Sequence, residues 1–380
     1  MEKEGAQLTQ LKNLNPRQSE ALSSDDERFA ILRLIRSPGI GPARFFQLYH
    51  HYGSALEAVA HFKEATRALQ KVSLIDARFI EQEWKRHEKI GAKILTFLDL
   101  DYPPLLREIK DCPPVLSILG SLSVLQKPLL GVVGSRNASL NGRHFITRLV
   151  HDLTSRGFAI ISGFARGMDT AAHEASLDAG TVGVLAGGVD IIYPEENVAL
   201  YKAVQEKGCL LSEMPLGLHP QGRHFPRRNR LISGMAQGVL VSEARHQSGS
   251  MVTAHYALEQ GRDVFAVPGS PLDLRCAGSN SLLKQGAILV TRVEDILESL
   301  NIALPTLPRT ALRHHNTPLT KGDEKAFLDL LSVEPLAQDL IIEHLGIEAE
   351  SFNALCSKLE LEGKVTRSFG GVLSLCLKED

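Results

Sequence analysis

Between Leu129 and about Leu300 the chain repeats one pattern: a short, unbroken apolar run that stops at small or polar residues and is followed by a helical stretch. The runs are LLGVVG, FAIISG, VGVLAGG, CLLSEM, GVLVSEA, DVFAVPG and AILVT. A strand with one wet face alternates apolar and polar residues, so a continuous apolar run marks a strand covered on both faces. Strands of that kind, separated by helices, build a parallel sheet with helices packed on either side. The pattern predicts a Rossmann-like, doubly wound α/β domain over residues 129–300. Ligands of such sheets bind beyond the carboxyl ends of the strands. Here those ends carry GSRNAS, SGFARGMD, AGGVDIIYP, SEMP, SEARHQSGS and VPGS, so glycines and small polar side chains should converge on one rim.

The flanking segments read differently. Residues 1–25 are polar and read as a flexible start. Residues 26–100 read as an N-terminal domain of short helices, in which RSPGIGPARFFQLYHHYGSALEAV sets a Pro-Gly-Ile-Gly-Pro turn between apolar helical runs. That turn resembles a helix-hairpin-helix (SAM-like) element, whose amides either face a phosphate or serve only to pack two helices. Residues 101–128 read as a Pro-rich connector in which DYPPLL and DCPPVLSILG flank a short helix, and the Pro-Pro pairs argue against regular structure there. Residues 301–320 are rich in Pro, Thr and His and read as a linker. Residues 321–380 read as a small winged-helix-like domain, with three helical runs followed by two short strands around Phe-Gly-Gly. Its third helical run carries Glu348, Glu350, Glu360 and Glu362 against Lys358, which favours a protein contact over reading of a DNA groove.

Across the 380 residues, 42 Lys plus Arg oppose 44 Asp plus Glu, so a nucleic-acid partner does not follow from global charge. Any anion site must be local. From Met214 to Ser242 there is no acidic residue, while Arg223, Arg227, Arg228 and Arg230 bring positive charge. No apolar targeting core and no run near 18 apolar residues is present, which disfavours secretion and membrane insertion. Cys112, Cys209, Cys276, Cys356 and Cys376 are far apart with no C-x-x-C, so neither a disulfide framework nor a zinc site is expected. A reducing cytoplasm fits this usage, and no cofactor or metal is expected.

At the first strand end, Gly134 and Ser135 could offer amides at a helix start with Arg136 beside them; the plainer reading is a turn with an exposed arginine. The string is neither G-x-G-x-x-G nor G-x-x-x-x-G-K-[ST], so nicotinamide binding and NTP hydrolysis lack motif support. Ser162 and Gly163 end the second strand, and Asp169 falls in the first turn of a helix starting near Met168, with His173 four residues on. A Ser162–His173–Asp169 catalytic grouping is disfavoured, because no nucleophile-elbow spacing accompanies it and helix capping accounts for Asp169. Ser248, Gly249 and Ser250 form a further turn before a helix. The stretch FPRRNRLISG is read as a loop after CLLSEM whose last residues open a helix, placing Arg228 and Arg230 near Arg136. Guanidinium groups bind phosphates and Phe225 offers a stacking face, which together would make a single-stranded nucleic-acid groove. The competing reading pairs these arginines with acids elsewhere in the fold or places them in an oligomer contact.

In order, GSR (134–136), SGFARGMDTAAH (162–173), GGVDIIYPEEN (187–197), FPRRNRLISG (225–234), SGSMVTA (248–254) and VPGS make the chain resemble the bacterial DNA-processing protein family DprA, also called Smf, over almost its whole length. Met168 departs from the Ile or Val usual in that family, a packing variation. The resemblance implies a non-enzymatic homodimer that binds and protects single-stranded DNA, displaces single-strand-binding protein and loads a RecA-type recombinase in natural transformation. Carried onto this chain, Arg136, Arg228 and Arg230 would contact phosphates. Gly134, Ser135, Ser162, Gly163, Ser248, Gly249 and Ser250 would line the pocket, with Phe225, Asn229 and Lys202 added. The alternatives are a nucleotide sensor using the Gly and Ser rim, and a nucleoside-monophosphate phosphoribohydrolase. The latter's P-G-G-x-G-T-x-x-E string is represented only by SGSMVTAHYALE, with Tyr256 where the catalytic carboxylate would stand.

Overall fold

The computed structural model of the protein describes residues 24–67, 72–301, 321–331, 336–345, 347, 349–367 and 372–376. The chain divides into two compact units, one ending at Ala303 and one beginning at Leu304. Residues 1–23 and 302–320, which carry the expected flexible start and most of the expected linker, lie outside the described residues.

The first unit opens with helices α1 (Asp25–Arg36), α2 (Pro42–Tyr52), α3 (Ala55–Ala60), α4 (Phe62–Ala65) and α5 (Ala77–Lys89). Ser24 caps α1 by accepting from the Glu27 amide. The buried Glu27 carboxylate in turn accepts from the amides of Ala55 and Leu56, at 2.6 and 3.1 Å, so α1 supplies the charge that the start of α3 attracts. Between α1 and α2 the Pro-Gly-Ile-Gly-Pro turn needs a left-handed residue, and Gly39 takes φ +80° there. Phe45 and Tyr49 of α2 set their rings 5.8 and 5.1 Å from Phe97, docking the helices against the segment after α5.

That segment forms β1 (Lys93–Thr96), α6 (Pro104–Arg107) and β2 (Val115–Gly120). A short helix is present as α6, but the expectation that the Pro-Pro flanks lack regular structure is corrected: β2 belongs to the main sheet, paired antiparallel with β1 and with the strand Cys209–Ser212. VLSILG is an apolar run like the others, and Pro113 and Pro114 precede it, where a missing amide removes no ladder bond.

The seven apolar runs become β3 (Leu129–Val133), β4 (Ala159–Ser162), β5 (Thr181–Val184), β6 (Cys209–Ser212), β7 (Gly238–Val241), β8 (Asp263–Ala266) and β9 (Ile288–Leu289). Helices α7 (Leu140–Ser155), α8 (Met168–Ser176), α9 (Val198–Lys207), α10 (His224–Met235), α11 (Gly249–Glu259), α12 (Ala277–Lys284) and α13 (Val293–Ser299) alternate with them. The nine-stranded sheet runs β1-β2-β6-β5-β4-β3-β7-β8-β9, and β3 to β9 are mutually parallel. Alternate residues of β3 face opposite layers, as a period of two requires. Leu130 and Val132 join Ile146 and Leu149 of α7 and Met168 of α8, while Leu129 and Val133 join the core that holds Leu231 and Ile232 of α10. Each such fully buried side chain contributes roughly 1.5–3 kcal/mol through removal of apolar surface from water.

The second unit contains α14 (Lys321–Leu331), β10 (Leu336–Ala337), α15 (Gln338–Leu345), α16 (Ala349–Leu361), β11 (Val365–Arg367) and β12 (Val372–Leu375). Three helices and a three-stranded antiparallel sheet ordered β10-β12-β11 form a winged-helix arrangement around Phe327, Ile341, Phe352, Leu359 and Leu373. Among the described residues of the chain, no helix is long and apolar enough to cross a membrane.

Candidate nucleic-acid interface

β3 lies between β4 and β7, where the chain stops adding strands on one side of the sheet and begins adding them on the other. Loops leaving such a switch point separate and leave a crevice. The loops after β3, β4 and β5 meet the first turns of α10 and α11 there through a continuous set of hydrogen bonds. Ser250 Oγ donates to Gly134 O at 2.8 Å, Asn229 Nδ2 to Gly249 O at 3.0 Å, and Arg228 Nε to Asn229 Oδ1 at 3.1 Å. Arg228 Nη1 donates to the carbonyls of both Gly163 and Val184. Gly134, Gly163, Arg228, Asn229, Gly249 and Ser250 are therefore brought together.

Over this floor opens a cavity of about 520 Å³ whose lining includes Arg136, Arg166, Tyr193 and Phe225, the carboxylates Glu195 and Glu196, and residues 163–165 and 185–187. The Arg136 guanidinium carbon stands 5.6 Å from the centroid of the Phe225 ring. Tyr193, about half exposed, sets its ring 5.7 Å from that of Phe225 at 54°. Arg136 is exposed and has no ion-pair partner among the described residues, so its charge is free for an anionic ligand. Arg166 is exposed and only loosely paired, at 3.9 Å from Glu196. An exposed cation beside two aromatic rings can take a phosphate and a base face together.

Four expectations are corrected. FPRR is not a loop: α10 begins at His224, so Phe225 to Arg228 lie in its first turns. Arg228, only 5% exposed, does not project from the rim; it supports the floor from within. Burial lowers its pKa to about 10, with Arg136 adding to the fall, while the buried Asp169 acts to raise it. Arg230, 2% exposed, is held by Glu213 and by Asp111 at 3.0 Å and does not line the cavity. The acid-free window begins one residue after Glu213, which pairs with both Arg227 and Arg230. Finally, α7 does not offer its amino end to a ligand. Ser139 caps it through Gly142 N, and the Glu243 carboxylate accepts from the Ser139 amide at 2.8 Å, so the chain's own anion occupies that place.

Ser162 is fully buried with its hydroxyl donating to Val132 O at 2.6 Å, so it lies beneath the pocket rather than lining it. His173, fully buried, bonds Thr181 Oγ1 through Nδ1 at 2.7 Å, and burial with the charge of Arg228 pushes its pKa down to about 3. Burial raises the pKa of Asp169, while Arg228 is the strongest influence drawing it back. With all three beneath the rim, they present no accessible nucleophile. Ser135 accepts from the Asn137 amide at 3.1 Å and shapes the turn that carries Arg136. Ser248 precedes α11 with a buried hydroxyl that has no hydrogen-bond partner among the described residues. Lys202 is exposed on α9 and does not line the cavity. Sequence reasoning missed Tyr193 and Arg166 although both lie in motifs already quoted. Among the described residues no cluster of His, Cys, Asp and Glu could hold a metal.

Residues 93–301 match the family described as DNA recombination-mediator protein A, residues 25–85 a DprA-like N-terminal HHH domain, and residues 313–371 a DprA winged helix domain. The chain is similar to Protein Smf of Escherichia coli K12, 40% identical over 282 residues that cover 72% of this chain and 75% of that protein. It is 39% identical to the DNA processing protein DprA of Bacillus subtilis 168 over 64% of this chain and 81% of that one. The X-ray structure of DprA from Streptococcus pneumoniae aligns with TM-score 0.62 and 31% identity over 72% of this chain and 97% of that one. A Helicobacter pylori DprA structure, described for its single-stranded DNA binding mode, aligns with TM-score 0.50 and 27% identity over 55% and 95% of the two chains. A family match across more than half of the chain, with both flanking domains in the same order, has one meaning: the chain belongs to the DNA recombination-mediator protein A family, DprA or Smf.

Proposed function

We propose that this chain binds single-stranded DNA in the cavity beyond β3, β4 and β5, as part of a DNA-processing role. The observation that carries the reading is the exposed, unpaired Arg136 guanidinium set against Phe225 and Tyr193, a phosphate contact beside two stacking faces. The H. pylori relative described as binding single-stranded DNA supports it. Stacking accepts any base, so binding should show little sequence preference. In this reading the site binds rather than catalyses, which is supported by the burial of Ser162, Asp169 and His173 and by Tyr256 where the phosphoribohydrolase string has its carboxylate. In the same reading the protein acts in the cytoplasm as a homodimer, loads a RecA-type recombinase on the bound strand during transformation and displaces single-strand-binding protein. The proposed organisation keeps an N-terminal helical domain, a central DNA-binding domain, a linker and a winged-helix domain for protein contact.

The test is fluorescence anisotropy of a labelled single strand against its duplex at two salt concentrations, with wild type and Arg136→Ala. Single-strand-preferring, salt-sensitive binding that the substitution weakens supports the reading. Saturable binding of mononucleotides with no oligonucleotide binding would instead make the cavity a nucleotide sensor.

A further inference from the structure

The first turn of α10 separates two basins. Phe225 lines the cavity described above, while Arg223, Pro226, Arg227 and Arg230 line a second, open basin of about 640 Å³ whose far wall is the Gly39–Arg44 turn between α1 and α2. We propose that this second basin is a seat for the phosphodiester backbone, so that a single strand leaving the Arg136–Phe225 cavity crosses the start of α10 and is held again by the hairpin turn. The inference rests on the single-stranded DNA reading and extends it across the start of α10 to the hairpin turn, which lies outside the motifs of the central domain.

Three observations converge on a phosphate. The amino end of α2 is bare: Gly41 at its cap makes no side-chain bond, no acid lies in its first turn, and the first intrahelical bond is Phe45 N to Gly41 O, leaving the Ala43 and Arg44 amides ahead of it. Opposite, the side chain of Arg230 is 3% exposed, and although Asp111 and Glu213 hold its Nε and Nη2, its Nη1 has no hydrogen-bond partner among the described residues. A buried guanidinium N–H without an acceptor is costly, and Arg230 is part of the basin's lining, so a phosphate seated there would lie beside that side chain. Arg44 and Arg223 are exposed and have no ion-pair partner among the described residues; Arg44 donates only to Gly39 O, at 2.6 Å. Arg44, Arg223, Arg227 and Arg230 thus face Asp111 in the basin and Glu213 behind it, which leaves an excess of positive charge.

The experiment compares the full-length wild type with Arg44→Gln/Arg223→Gln, both exposed positions outside the first cavity. The probes are fluorescein-labelled oligothymidylates of about 4 and about 16 nucleotides, the limits of single-strand site size. For the longer probe the double substitution should weaken binding and reduce the log-log salt slope by about 1.4, at ~0.7 for each phosphate no longer neutralised. The shorter probe, which one cavity can hold, should bind both proteins alike. An unchanged slope with the longer probe overturns the inference and leaves the single-strand reading intact, as does equal weakening of both probes, which would mean that there is one site. No binding of either probe by wild type removes both readings together.

Discussion

The guanidinium of Arg136 lies 5.6 Å from the centre of the Phe225 ring, though the two residues come from the turn after β3 and from the first turn of α10. The pairing places charge and stacking surface side by side, and it separates their contributions. Phe225→Leu should cost about 1–3 kcal/mol of single-strand affinity, the usual range for losing a base–aromatic stack. Its salt slope should stay near that of wild type, since no phosphate contact is removed. Arg136→Ala should reduce the slope by about 0.7. Anisotropy titrations over a range of salt check both. A slope that falls for the phenylalanine variant and not for the arginine variant would reverse the assignment.

Arg228 behaves differently, because its side chain supports the floor of the cavity. Removing it leaves the carbonyls of Gly163 and Val184 without their donor and Asp169 without its main compensating charge. Leaving a buried hydrogen-bonding group without its partner typically costs about 1–3 kcal/mol, and more for a charged one. Arg228→Ala should therefore lower the denaturant midpoint strongly and lose DNA binding only as a consequence. A variant with wild-type stability that fails to bind would return Arg228 to the ligand.

Much of this was legible in the chain. Apolar runs bounded by glycine announce buried parallel strands because burial on both faces leaves no room for polar alternation, and Gly134, Gly163 and Ser250 fall at one rim because strand ends converge there. The side of α10 on which each arginine would lie was not legible. Composition shows that FPRRNR is basic, but Glu213, just outside the acid-free window, and Asp169, distant in sequence, decide which of its charges are already balanced. The antiparallel β1–β2 pair was hidden for a related reason: the Pro-Pro pairs mark where a strand can start as readily as where structure stops.

Backbone geometry at the rim provides a further test. Gly167 precedes α8 with φ +86°, and a Cβ there would lie 2.5 Å from the carbonyl oxygens of both Ser135 and Arg136. Gly167→Ala would force that turn outward, in addition to the ~1–3 kcal/mol cost of an unfavourable backbone region. Thermal denaturation should show the destabilisation, and single-strand affinity should fall because Arg136 leaves the Phe225 ring. An alanine variant that melts and binds like wild type would mean that the turn yields without moving Arg136.

His173 should leave its mark on acid stability. Burial and Arg228 hold its folded pKa at about 3, below the ~6.5 of an unfolded histidine. Between those values the unfolded chain carries the proton and the folded chain does not. Stability is thus fully present above the unfolded pKa and declines as pH falls through the window, with a slope near 1.4 kcal/mol per pH unit for one proton. Asp169 acts in the opposite sense. Its raised folded pKa makes the native state the better proton binder above the ordinary carboxylate range, so the two profiles partly cancel in wild type. Comparison with His173→Gln separates them. From about pH 6 to about pH 4 the variant should lose up to one proton's worth of slope relative to wild type, measured by denaturant unfolding at each pH. Parallel profiles would show that His173 takes up its proton in the folded protein as readily as in the unfolded chain, and that the cavity floor is not the dry, closed layer that its hydrogen bonds describe.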